Sequence, residues 1–164
     1  MLAIERALLF ARRASRGYLN DPVTTPIPRI IVGDGARLTP AFVAQWKITH
    51  VINCAEDEMC PLKPAQDKYV CINALDSPYA SIFQWYPAFK EAMDNFLRDP
   101  TCENVYIHCQ CGINRSVFLT LAYLADAYRI PVVPCALHMI RQRPCIMTNR
   151  SYLKQVMSFA KKRE

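Results

Sequence analysis

Cys109 and Arg115 are a pair that can supply a nucleophile and a fixed positive charge. They stand six residues apart in His108-Cys109-Gln110-Cys111-Gly112-Ile113-Asn114-Arg115-Ser116, directly after the apolar run Val105-Tyr106-Ile107. Spacing alone carries little weight, because with eight Cys among 164 residues about 0.6 such Cys-to-Arg pairs arise by chance. Cys135 and Arg141 repeat the spacing within a stretch that reads as plain helix. Glycine separates the two. The chain has only four, at positions 17, 33, 35 and 112, and Gly112 falls inside the Cys109–Arg115 segment. A strand, a tight glycine-bearing loop and a following helix turn successive backbone N–H groups into one concavity at the positive end of a helix dipole, which makes an anion cradle. Phosphate is the anion that suits it. Gln110, Cys111, Gly112, Ile113 and Asn114 would supply the N–H groups, and Arg115 a planar fork for two phosphate oxygens. A cysteine thiol among N–H dipoles and an arginine gives up its proton readily, and the thiolate is a nucleophile. The competing reading of Cys109 is a buried, inert thiol at a strand end.

Displacing an oxygen from phosphorus also needs a proton donor for the leaving group. Asp76, in Ala74-Leu75-Asp76-Ser77-Pro78, is the candidate, with Asp57 and Asp67 as alternatives in another loop. Read by itself, an Asp so placed is more often a turn or helix-flanking residue than a catalyst.

These groups need a scaffold, and short strands alternating with helices supply an α/β one. Strands are expected at 29–33, 49–54, 68–73 and 105–107. Helices are expected at 2–16, at 40–47 opened by Thr39 and Pro40, from 81 or 82 to 98 with Pro87 in an early turn, and then near 116–129, 134–142 and 149–162. Residues 1–19 form an N-terminal helical segment. Residues 20–28, with Pro22, Pro26 and Pro28, read as a linker, and 29–164 as the domain. Ile4, Leu8 and Ala11 line one side of the first helix, while Leu2 and Leu9 fall among its charged residues. That helix fits a piece of the same domain, a partner-binding arm, or an Arg-rich organellar presequence.

Composition narrows the classes. With 52% hydrophobic and 21% charged residues, the chain lies outside the regime of disorder, and no apolar run is long enough to span a bilayer. The net charge of +6 gathers at the two ends while the middle is acidic, so a nucleic-acid partner is not favoured. The cysteines form no C-x-x-C pair and only three His exist, so no metal site or cofactor is expected, and reduced thiols point to a cytoplasm-like compartment.

His108-Cys109-x-x-Gly112-x-x-Arg115-Ser116 resembles the signature loop of the cysteine-based protein tyrosine phosphatases, and the chain from about Ile27 onward resembles their small dual-specificity members. Supporting matches are Ile27–Gly33, Ile48–Asn53, Ala122-Tyr123-Leu124, and Arg143-Pro144 followed by Asn149, Tyr152, Leu153 and Gln155. The resemblance implies a three-layer α/β fold of the protein-tyrosine-phosphatase type, with a mostly parallel central sheet flanked by helices, here with an extra N-terminal helix. It implies hydrolysis of phosphotyrosine and phosphoserine or phosphothreonine through a cysteinyl-phosphate. Cys109 would be the nucleophile, Arg115 the phosphate clamp and Asp76 the general acid. Ser116 would assist breakdown of the intermediate, with His108 and Asn149 in support. Departures are Cys111 where the family often has Ala, Asn114 where it often has Ser, Val117 after Ser116, Thr148 in place of Pro, and Tyr152 in place of Phe. The neutral loop disfavours phosphoinositides. Asn114 also occurs in related RNA 5′-triphosphatases, and that reading stays open beside a non-catalytic phosphoprotein-binding module. Compact members occur in large DNA viruses, which adds a virion or infected-cell cytoplasm to the compartments, with mitochondria for a presequence. Some of them dimerise through an N-terminal helix, so a homodimer is expected.

Overall fold

A computed structural model describes residues 1–163. Its sheet is built from β1 (Ile30–Asp34), β2 (Ile48–Asn53), β3 (Tyr69–Cys71) and β4 (Asn104–Cys109), in the order β1-β4-β2-β3. All three pairings are parallel. β4 lies between β1 and β2, and its residues Val105 to Cys109 are all buried. This is what a near-continuous apolar run covered on both faces requires.

Six helices cover the sheet: α1 (Leu2–Ala14), α2 (Pro40–Trp46), α3 (Tyr86–Arg98), α4 (Arg115–Ala127), α5 (Val132–Gln142) and α6 (Arg150–Lys161). Phe42, Val43 and Trp46 of α2 pack over Ile31, Val51 and Tyr106 on one face. The larger core on the other face takes side chains from α1 and α3 to α6. The three-layer α/β expectation holds. α4 leaves β4 through the Cys109–Arg115 turn and is buried on every side from Arg115 to Ala125, as a helix apolar all round must be.

The element boundaries differ from expectation for local reasons. α1 ends at Ala14 rather than 16, because Ser15 turns extended and its hydroxyl donates to Asp21 at 2.6 Å. β3 stops at Cys71, two residues before Asn73 takes a positive φ of 57°. The helix expected from 81 or 82 divides into a 3₁₀ turn at Ile82–Gln84 and α3, with Pro87 at the start of α3, where its missing N–H costs nothing.

The segment read as a linker is bound into the domain. Asp21, Val23 and Thr24 are buried, and Thr24 pairs antiparallel with Val32. α1 packs on its own domain, next to α5, through Ile4, Leu8 and Ala11. Leu2, Leu9 and Phe10 remain exposed at 61%, 62% and 75%.

Candidate active site

Where the carbonyls of the Cys109 loop go decides where its N–H groups point, since C=O and N–H of one planar trans peptide face opposite ways. Every carbonyl from Cys109 to Ile113 has a partner on the scaffold. That of Cys109 lies 2.8 Å from His108 Nδ1, and that of Gln110 accepts from the Gly35 N–H at 3.2 Å. Those of Cys111 and Gly112 accept from Arg143 Nη2 and Nε at 2.8 and 3.0 Å. That of Ile113 accepts from the Met147 N–H at 2.9 Å. The N–H groups of residues 110–114 therefore face the other way, and among the described residues none of them finds a backbone acceptor. Together they line the concavity at the α4 N-terminus. Gly112 makes the turn possible, with φ 65° and a position where a Cβ would run into the Gly33 backbone.

Cys109 is buried at the end of β4, with its Sγ 3.3 Å from the Ser116 hydroxyl. Arg115 donates from Nη1 to the Ala74 carbonyl at 2.9 Å and faces Glu56 at 3.7 Å. Among the described residues no protein group accepts from its Nε or Nη2, and that edge is the one able to grip two oxygens. Burial pushes the Cys111 thiol up, and the neighbouring Cys109 adds to this, so Cys111 stays protonated beside the loop. His108 is buried, which lowers its pKa and keeps it neutral. Its neighbour at Nδ1 is a carbonyl, so the proton sits on Nδ1. Nε2 is left buried without a partner among the described residues.

Asp76 comes to the same place from its own loop. Its Oδ2 accepts from Asn114 Nδ2 at 3.0 Å and its Oδ1 from Asn149 Nδ2 at 2.9 Å. Asn149 also accepts from the Tyr152 N–H and so caps α6. Tyr152, whose hydroxyl is kept protonated by burial, donates to the Leu75 carbonyl at 2.6 Å. Asp57 takes the Tyr69 hydroxyl at 2.8 Å and pairs with Lys63, and Asp67 lies exposed in a 3₁₀ turn. Among the described residues, neither makes a hydrogen bond to the Cys109 loop. The Asn114 side chain donates to Asp76 and Thr148, while its backbone N–H stays with the others that line the concavity.

The sequence reading missed Arg143 as a site residue. It is fully buried, faces Asp34 at 3.4 Å, and also donates to the carbonyls of Tyr18, Asp21 and Pro22. Arg143-Pro144 was legible only as part of a resemblance. No spacing signals that a residue so far along the chain holds the loop.

The catalytic-domain model of the dual specificity phosphatases matches residues 30–162. A probable dual specificity protein phosphatase of Dictyostelium discoideum is 23% identical over 134 residues, covering 81% of this chain and 60% of that protein. The MAP kinase phosphatase with leucine-rich repeats protein 1 of the same organism is 33% identical over 125 residues, covering 76% of this chain and 14% of that protein. The chain thus spans three fifths or less of these two relatives. Among solved structures, the human tyrosine phosphatase-like serine/threonine/tyrosine-interacting protein superimposes with a TM-score of 0.72 at 20% identity, over 88% of this chain and 99% of that one. A match over 133 residues that takes in the whole sheet, the Cys109 loop and α4 to α6 places the chain in the dual specificity phosphatase family.

Proposed function

We propose that the protein hydrolyses phosphotyrosine and phosphoserine or phosphothreonine in proteins through a cysteinyl-phosphate. The observation that carries this reading is the ring of five inward N–H groups around the Cys109 thiol, held by partners on all five carbonyls. The Cys109 thiolate attacks phosphorus in line with the ester oxygen. Arg115 and the N–H groups take the charge on the equatorial oxygens. Asp76 gives its proton to the leaving oxygen as the P–O bond breaks. A water then attacks the thiophosphate and yields its proton to Asp76, while Ser116, 3.3 Å from Sγ, donates to the departing thiolate. No metal or cofactor enters this scheme.

Cys109→Ser is expected to abolish release of inorganic phosphate from an aryl phosphate, because a hydroxyl is a poor nucleophile, while the cradle keeps its affinity for vanadate. More than about a tenth of the normal rate would remove Cys109 from the chemistry. A protein that binds phosphopeptide and shows no turnover before mutation is instead the phosphoprotein-binding module.

The substrate partners are phosphorylated proteins, and the reading includes a homodimer through α1. Since Ile4, Leu8 and Ala11 already lie in the protein's own core, the face offered to a second copy is Leu2, Leu9 and Phe10. Sedimentation checks it. The full chain should run as a dimer and a chain lacking residues 1–14 as a monomer. A reducing, cytoplasm-like compartment suits a thiolate enzyme. Among the described residues no helix is long and apolar enough to cross a membrane.

A further inference from the structure

Asn114 directs none of its hydrogen bonds toward the Cys109 thiol. Its Nδ2 donates to Asp76 Oδ2 at 3.0 Å and to Thr148 Oγ1 at 2.9 Å, and its Oδ1 accepts from the Asn149 N–H at 2.9 Å. The residue is 6% exposed. Its amide thus joins three segments distant in sequence: the Cys109 loop, the Asp76 loop and the turn before α6.

Asp76 is the group this joint fixes. Asn114 takes one lone pair of Oδ2 and Asn149 one of Oδ1. Each carboxylate oxygen has two such sites, so a site remains on each for the proton to be delivered. A neutral amide makes these contacts without bringing a further charge beside Arg115, as Lys or Arg at the same place would. Geometry also demands an amide. Two donations and one acceptance in a fixed fork exceed what the single hydroxyl proton of serine can supply.

The backbone around Asp76 has fasteners of its own. The Ala74 carbonyl is held by Arg115, the Leu75 carbonyl by Tyr152, and the Ser77 carbonyl by Asn149. These hold the loop near the site, but the bond to Asn114 is the one that ties the carboxyl itself to the residue beside Arg115. General acid catalysis depends on the distance and angle from that carboxyl to the leaving oxygen, and a displacement of about 1 Å can cost about 10²-fold. Oxyanion binding depends on the N–H ring and Arg115, and Asn114 gives them only its backbone.

We propose that Asn114 is a positioning residue for the proton donor: it seats Asp76 for transfer to the leaving oxygen and leaves phosphate binding to the rest of the loop. The inference rests on the reading of Asp76 as the general acid.

The test is turnover by the full-length protein of aryl phosphates whose leaving groups range from dinitrophenol to phenol, with inhibition by vanadate measured alongside. Asn114→Ala should lose about 10- to 100-fold in kcat on phenyl phosphate and less than about threefold on the dinitrophenyl ester, which needs no proton. Vanadate inhibition should stay within about threefold, and this also reports a folded cradle. Asn114→Gln, with the amide displaced by one methylene, should lose less than Asn114→Ala. The double variant with Asp76→Asn should be no slower than Asp76→Asn alone, since removing the donor removes what Asn114 acts on.

An equal loss for both esters with weakened vanadate inhibition overturns the proposal and makes Asn114 part of the phosphate cradle. If Asp76→Asn itself shows no dependence on the leaving group, the acid assignment falls and the positioning role falls with it. If Asp76→Asn shows the dependence and Asn114→Ala does not, the positioning role alone falls.

Discussion

In the proposed mechanism Arg115 performs two tasks with opposite edges of one side chain. Nη1 is engaged by the Ala74 carbonyl and faces Glu56, which fixes the plane of the guanidinium and turns the other edge toward the concavity. A lysine carries the charge but not the plane, and its single nitrogen cannot hold Ala74 and grip two phosphate oxygens at once. Arg115→Lys is therefore expected to lower kcat/KM on an aryl phosphate by about 10²-fold or more and to weaken vanadate inhibition as well. Steady-state kinetics decide it. A near-normal rate would leave Arg115 with the Ala74 contact as its whole role. The contrast with Cys111 belongs to the same scale, for two thiols share one loop and only one faces Ser116. Burial keeps the other protonated.

At the scale of elements, the segment between α1 and β1 supports the site. Ser15 and Arg16 bind the Asp21 carboxylate at 2.6 and 2.7 Å, which folds residues 15–21 into a turn. The carbonyls of Tyr18 and Asp21 then accept from both Arg37 and Arg143, and that of Pro22 from Arg143. Asp34 lies between the two arginines. Arg143 is fully buried, and a buried donor stripped of its acceptor costs about 1–3 kcal/mol. A chain lacking residues 1–14 keeps this turn and should turn over an aryl phosphate within about threefold of the full chain. A chain lacking residues 1–22 loses three acceptors of Arg143, which also holds the Cys111 and Gly112 carbonyls. That chain should lose at least about tenfold, or fail to fold by circular dichroism. Equal rates for the two deletions would show that the turn is dispensable.

For the whole molecule the consequence is in stability against pH. Backbone and hydroxyl donation from Thr101, with the His50 contact, hold Asp99 down at about 2. Burial works to raise Asp21 and Asp94, but hydrogen bonds from Ser15 and Arg16 to the first and from Tyr123 and Lys90 to the second outweigh it, so both are lowered. A folded-state pKa below the unfolded one means that the unfolded chain binds more protons as pH falls, so the stability these groups add is present above about 4 and is lost below it. His108 acts in the same direction at higher pH. Burial lowers its pKa from the usual 6.5, so its share of stability is present above about 6.5 and declines beneath. The urea midpoint, followed by the fluorescence of Trp46 and Trp85, should be level between about pH 7 and 8, decline gently through pH 6 and fall steeply below about pH 4. A midpoint that rises on acidification would contradict these assignments.

The alternation of strands and helices, the buried β4 run, and the Cys109, Gly112 and Arg115 triplet were all legible in the sequence, because strand burial, loop glycine and helix entry are properties of neighbours along the chain. Asp76 was legible as a candidate only, since an aspartate in a turn looks the same whether or not the Cys109 loop lies across from it. What only the tertiary structure decided are the contacts between remote segments. The Asn114 side chain meets Asp76 and Thr148, Arg143 holds the Cys111 and Gly112 carbonyls, and the supposed linker at 20–28 supplies two of that arginine's acceptors, the carbonyls of Asp21 and Pro22. Buried polar groups must find partners wherever the fold brings them. That requirement leaves no periodicity in the sequence, because the partners are chosen by position in space.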